Sequence, residues 1–179
     1  MVRIYEEWES DRGGSGIAGD CDSGCPPVGR SHTATGTDES VFEASGNTRA
    51  SVTGTSIMKA SGDASSADDS SFKGVNSGVR VYGNAEVTLK DCTIESDAEN
   101  ATGVFAYENG VVHIADCTVN VTGGGAGGVQ VAGGGTLYGS NLTVTTASKA
   151  AIRSDRGGVR WSFFVNGVEL TETKWLLLL

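Results

Sequence analysis

Gly78-Val79-Arg80-Val81-Tyr82-Gly83-Asn84, Gly103-Val104-Phe105-Ala106-Tyr107-Glu108-Asn109 and Gly128-Val129-Gln130-Val131-Ala132-Gly133-Gly134 are one stretch written three times, 25 residues apart. A second echo keeps the same step: Asp91-Cys92-Thr93-Ile94, Asp116-Cys117-Thr118-Val119 and Asn141-Leu142-Thr143-Val144. A fixed repeat of this length, made of short β-type runs, marks a stacked solenoid. Six columns are apolar or small: Val79/Val104/Val129, Val81/Ala106/Val131, Val87/Val112/Leu137, Leu89/Ile114/Gly139, Cys92/Cys117/Leu142 and Ile94/Val119/Val144. The residues between them are mostly polar or aromatic, so each run alternates with period two and buries one face.

The in-register pairs 79/81, 87/89 and 92/94 imply three short strands per turn, separated by Gly, Asn and Asp corners. A helical reading fails because turns are too frequent and Val, Thr and Gly are poor helix formers. A sandwich would alternate too, but has no reason to hold a strict 25-residue register. The pattern resembles the right-handed parallel β-helix, an all-β fold of four to five coils whose rungs sit about 4.8 Å apart.

The register extends outward. At a shift of 37 residues, Phe42, Ala44, Ala50, Val52, Thr55 and Ile57 fall on Val79, Val81, Val87, Leu89, Cys92 and Ile94. The surplus lies in residues 59–77, a small, polar, acidic stretch that reads as a loop projecting from one corner. Ala151-Ile152-Arg153-Ser154 starts another coil, and after Gly158 the columns stop fitting. The expected layout is therefore a cap or disordered segment at 1–40, a β-helix at 41–158, and a cap hairpin or aberrant tail at 159–179. Asn166-Gly167 is the hairpin signal in that last segment.

Within 41–158, the runs Ser61-Gly62-Asp63-Ala64, Asn100-Ala101-Thr102-Gly103 and Gly123-Gly124-Gly125-Ala126-Gly127-Gly128, with the sequences that follow them, look like the adhesin-like β-helix proteins of anaerobic gut bacteria. That resemblance implies a secreted or surface protein without an assigned activity. Both ends depart from the pattern, so a fragment without independent function is a further reading. Residues 1–9 lack the basic start and apolar core of a signal peptide.

The chain has 179 residues, which suits one domain, and a net charge of −9. That balance argues against nucleic acid, which needs a basic stripe, and against an anionic membrane surface. Trp175-Leu176-Leu177-Leu178-Leu179 is too short to span a bilayer. No dinucleotide or phosphate-loop fingerprint opens a helix, and no cofactor is implied. The open ends of a short solenoid leave unpaired strand edges, which could support end-to-end self-association.

Candidate sites follow from the outward columns. Asp91 and Asp116, one rung apart, have the approximate spacing of a retaining glycosidase pair. The competing reading is that Asp91, Asp116 and Asn141 cap turns. Arg80, Phe105, Gln130 and Arg153, beside Tyr82 and Tyr107, put aromatic rings next to planar hydrogen-bonding groups. Arg80, Tyr82, Phe105, Tyr107 and Gln130 are thus the expected ligand-binding face for a glycan or a host or bacterial surface protein. The Thr93/Thr118/Thr143 ladder resembles an ice-binding array, but its neighbours Glu95, Asn120 and Thr145 break the regularity. Cys92 and Cys117 stack inward as small hydrophobes; the alternative, a disulfide between them, would strain the neighbouring parallel strands. Cys21, Cys25 and His32 are too loosely spaced for structural zinc, so no metal is expected. His113 has no nucleophile beside it.

The leading expectation is a non-enzymatic adhesin-like module, extracellular or at the cell surface. The alternative is a carbohydrate-active enzyme of pectate-lyase-like fold working through Asp91 and Asp116.

Overall fold

A computed structural model describes residues 1–4, 30–155, 160–164 and 169–172. The quoted repeats become stacked three-strand coils. Val79 and Val81, Val87 and Leu89, and Ile94 lie in the three successive strands of one coil. The elements in order are β1 (Val2–Ile4), β2 (Ser31–Ala34), β3 (Phe42–Ala44), β4 (Arg49–Thr53), β5 (Ser56–Lys59), α1 (Ala67–Lys73), β6 (Val79–Val81), β7 (Glu86–Lys90), β8 (Thr93–Ser96), β9 (Val104–Ala106), β10 (Val111–Val121), β11 (Val129–Ala132), β12 (Thr136–Thr146), β13 (Ile152–Asp155), β14 (Arg160–Phe164) and β15 (Glu169–Glu172).

The first face stacks β3, β6, β9, β11 and β13 in parallel, with β1 added antiparallel on the edge of β3. The second stacks β4, β7 and the first halves of β10 and β12, followed by β14. The third stacks β2, β5, β8 and the second halves of β10 and β12, followed by β15. The registers are those of the columns: Phe42 on Val79, Val52 on Leu89, Ile57 on Ile94, Val112 on Leu137. The result is a parallel β-helix of about five coils with, among the described residues, one short helix.

The interior is the set of apolar columns. Val79, Val81, Val87, Leu89, Ile94, Val104, Val112, Val119, Val129, Leu137 and Val144 have no measurable exposure. Parallel strands buried on one face by stacking neighbours explain why no coil could stand alone. Gly78, Gly103 and Gly128 form the column just before the first face. A Cβ on Gly103 would fall 2.5 Å from the Val119 side chain and 2.9 Å from the Gly128 carbonyl. Glycine is needed there because successive backbones pass too close for a side chain.

Three expectations are corrected. First, the coils begin before residue 41. Ser31 to Ala34 pair with Ser56 to Lys59, and His32 occupies the interior position of Ile57 and is buried. A polar residue in an apolar column hid that step of 25.

Second, the C-terminal strands are no hairpin. β14 and β15 both run parallel to β12, with Trp161 in register with Leu137 and Leu170 with Val144. The steps from the preceding coil are 23 residues at Ile152, 24 at Trp161 and 26 at Leu170, so a fixed period of 25 loses the coil. The Asn166-Gly167 turn lies outside the described residues.

Third, the acidic insertion does not project. It forms α1 and folds back over the first face. Ser66 is the N-cap, its side chain accepting from the Asp69 N–H. Asp68 and Asp69 sit in the first turn, and Asp69 pairs with Lys73 at 2.7 Å. Gly74, at φ 67°, ends the helix in the left-handed conformation that glycine adopts without penalty. The acidic start, basic end and terminal glycine are helix signals that the polar composition masked.

Among the described residues, one charged side chain enters the interior. Lys59, in the column of Ser96, is fully buried and donates to the Gly36 carbonyl at 2.5 Å. Burial pushes its ammonium below the ordinary lysine range, partly offset by Glu39 and Asp38.

Candidate functional site

The expected binding row lies on the first face, where α1 changes its accessibility. Phe105 and Gln130 do point outward from β9 and β11, yet both are buried, Phe105 completely. The covering element is the α1 strap. A Cβ on Gly74 would fall 2.3 Å from the Phe105 ring, so the strap backbone lies directly on that ring. Gln130 donates its amide to the Ser71 carbonyl at 2.6 Å, and Arg80 donates to the Lys73 carbonyl at 2.9 Å. Lys149 reaches the Ser71 hydroxyl at 3.1 Å, and the Arg153 guanidinium stands 5.9 Å from the centre of the Phe72 ring. Phe105 and Gln130 are therefore anchors for the strap and not an open binding surface.

Arg80 is largely consumed as well. It pairs with Glu43 at 3.2 Å and lies 4.3 Å over the Tyr82 ring, while the Tyr82 hydroxyl donates to the other Glu43 oxygen at 3.1 Å. Tyr82 and Tyr107 remain half-buried at the corner between the first and second faces. The Tyr107 ring packs on Gly133, where an added Cβ would come within 2.6 Å of it.

Across that corner lies a row outside the expected site. On the second face, His113 and Tyr138 occupy the same register position on β10 and β12. Their rings stack at 4.9 Å with 12° between planes. His113 Nε2 lies 3.1 Å from Glu86 Oε1, and Arg49 pairs with the other oxygen of Glu86 at 3.2 Å. Glu86 and His113 side chains are 39% and 41% exposed, so this row is accessible where Phe105 is not. The signal was present in the sequence as the outward column Thr88/His113/Tyr138. The partner Glu86 belongs to a different column and became visible only through the coil geometry.

The aspartate pair sits at a corner of the coil. Asp91, Asp116 and Asn141 have φ values of 53°, 55° and 46°, the left-handed conformation in which Asp and Asn are the favoured non-glycine residues. They bend the chain between the second and third faces. The Asn141 side-chain amide donates to Asp116 Oδ1 at 2.7 Å, so one oxygen of that carboxylate is engaged along the ladder. Asp116→Asn is accordingly expected to change stability by less than about 0.5 kcal/mol. Asp116→Ala should lose about 1–2 kcal/mol through the strained φ and the missing hydrogen bond. Urea titration of both variants checks this; an equal loss in the two would show that the negative charge itself matters.

Among the described residues, no cluster of three or more His, Cys, Asp or Glu side chains is arranged to hold a metal ion. Cys21 and Cys25 lie outside the described residues. No described helix is long and apolar enough to cross a membrane.

The model of the family described as "Right handed beta helix region" matches residues 29–158. The chain belongs to the right-handed β-helix family. The matched span takes in β2, consistent with coils that start before residue 41. No curated protein and no solved structure matches this β-helix. The family assignment fixes the scaffold and leaves the function to the side chains that the scaffold presents.

Proposed function

We propose that this β-helix is a non-enzymatic, adhesin-like binding module, extracellular or at the cell surface, that recognises a glycan. The observation that carries the reading is the partly exposed His113–Tyr138 stack with Glu86 and Arg49, across the corner from the half-buried Tyr82 and Tyr107. Aromatic rings beside charged hydrogen-bonding groups on a rigid sheet suit a sugar, which offers C–H faces and hydroxyls together. A rigid solenoid also orders these groups before binding, so little side-chain entropy remains to be lost.

The use of Asp116 to hold Asn141 at a corner favours binding over hydrolysis through the Asp91/Asp116 pair. The catalytic alternative would show as polysaccharide cleavage that disappears in Asp116→Asn.

A glycan array with the wild-type protein and two double variants tests the reading. Tyr82→Ala/Tyr107→Ala and His113→Ala/Tyr138→Ala are each expected to bind the selected glycan at least roughly tenfold more weakly, as truncated anchor residues do. Undiminished binding by both variants would move recognition elsewhere. Binding only to a protein ligand would replace the glycan with a protein partner.

A further inference from the structure

The steps from Thr93 to Thr118 and from Ile94 to Val119 hold β8 and β10 in parallel register. One residue earlier, Cys92 and Cys117 therefore occupy the same position on adjacent coils. Both are buried, at 2% and 3% exposure, and both are free thiols. Their sulfurs point into the same interior column. The Cys92 backbone N–H donates to Cys117 Sγ at 3.3 Å, so the second sulfur leans onto the first residue. Each thiol also donates to the carbonyl two residues before it: Cys92 to Lys90 at 3.2 Å and Cys117 to Ala115 at 3.0 Å.

We propose that Cys92 and Cys117 form an inter-coil disulfide when the protein folds in an oxidising compartment. Adjacent in-register strands bring Cα atoms to about 4.8 Å, inside the window of about 4.4–6.8 Å that disulfides use. Each cysteine follows an exposed corner residue, Asp91 or Asp116, so each sulfur sits one residue inside the surface. A coil not yet stacked, or opening at that corner, exposes both.

The electrons go to a small-molecule disulfide such as oxidised glutathione. The Cys92 thiolate attacks one of its sulfurs and expels one thiolate, giving a mixed disulfide. The Cys117 thiol then loses its proton, attacks Cys92 Sγ and expels the second. Two protein thiols become one disulfide, and the oxidant becomes two thiols. The two thiols are coupled, each in contact with the other, and the exchange balances equally if Cys117 attacks first.

The consequence is a covalent staple between the coils that carry Glu86 and His113. It closes a loop of 25 residues in the unfolded chain and so restricts the unfolded state.

The test uses the full chain with Cys21→Ser and Cys25→Ser, refolded with either reduced or oxidised glutathione. Expected are loss of both thiols in the oxidised sample when counted under denaturing conditions, and a Cys92–Cys117 cross-linked peptide in non-reducing mass mapping. The oxidised form should melt higher by roughly 6–12 °C. Dithiothreitol should remove that rise, and Cys117→Leu, which repeats the residue of the next coil, should never show it. Two thiols still titrating after oxidative refolding, a cross-link between chains, or a linked form melting no higher than the reduced form would each overturn the staple.

Discussion

Ile114→Ala is expected to cost about 3–5 kcal/mol. Ile114 lies near the middle of the stack, 1% exposed, with Leu89 beneath it and Gly139 above it in register. Truncation of a buried isoleucine loses the transfer free energy of the removed carbons and leaves a cavity, together about 2–5 kcal/mol. Gly139 has no side chain to move into the gap, and the coil backbones are held by ladder hydrogen bonds on both sides. The cost should therefore fall in the upper part of the range, a large fraction of a typical total of about 5–15 kcal/mol. Urea titration should show a lower midpoint. An unchanged slope would mean that the coils unfold together, and a broadened, shallower transition that the stack separates into parts at the damaged coil. A loss below about 1 kcal/mol would show that the interior collapses onto the gap.

Gly74→Ala is expected to release the α1 strap while leaving the coils folded. Its φ of 67° costs an alanine about 1–2 kcal/mol, and the new Cβ would fall 2.3 Å from the Phe105 ring. Overpacking of that kind adds about 1–3 kcal/mol. A combined destabilisation of about 2–5 kcal/mol, confined to the strap, raises its open population by roughly 30- to 4,000-fold. Limited proteolysis should then cut within 59–78 far faster than in the wild type, while the main thermal transition barely moves. Equal cleavage rates would mean that Arg80, Gln130 and Lys149 hold the strap without help from the glycine. If the variant gains glycan binding that Phe105→Ala abolishes, the covered row is itself a recognition surface and the strap its lid.

These two sites differ in how they are written in the chain. Ile114 announces itself. It belongs to a column whose members recur one coil apart, and its burial follows from period-two alternation. Gly74 looks like one more small residue in a polar stretch, because its partner Phe105 stands in a later coil and no periodicity connects them.

The same contrast runs through the candidate site. Asp91, Asp116 and Asn141 were legible both as a ladder and as turn residues, and their positive φ values place all three in the left-handed conformation at the corner. Phe105 and Gln130 were legible as outward-facing. That they are covered was not, since outward from a sheet is not the same as exposed to solvent.

By itself the sequence determined the three-strand coil, its interior columns, the register between coils and the corners at Asp, Asn and Gly. These are contacts between residues at one nearly constant separation, and selection for packing writes such contacts as a visible period. Tertiary structure alone decided which outward side chains meet solvent, and that the chain beyond Gly158 resumes the stack. It also decided that Lys59 and His32 fill interior positions, and that Glu86 meets His113. Those outcomes depend on contacts at irregular separations, such as the 59 residues between Ser71 and Gln130. An insertion folds where its own caps and the surface beneath it agree, and that agreement exists only once the coils are stacked.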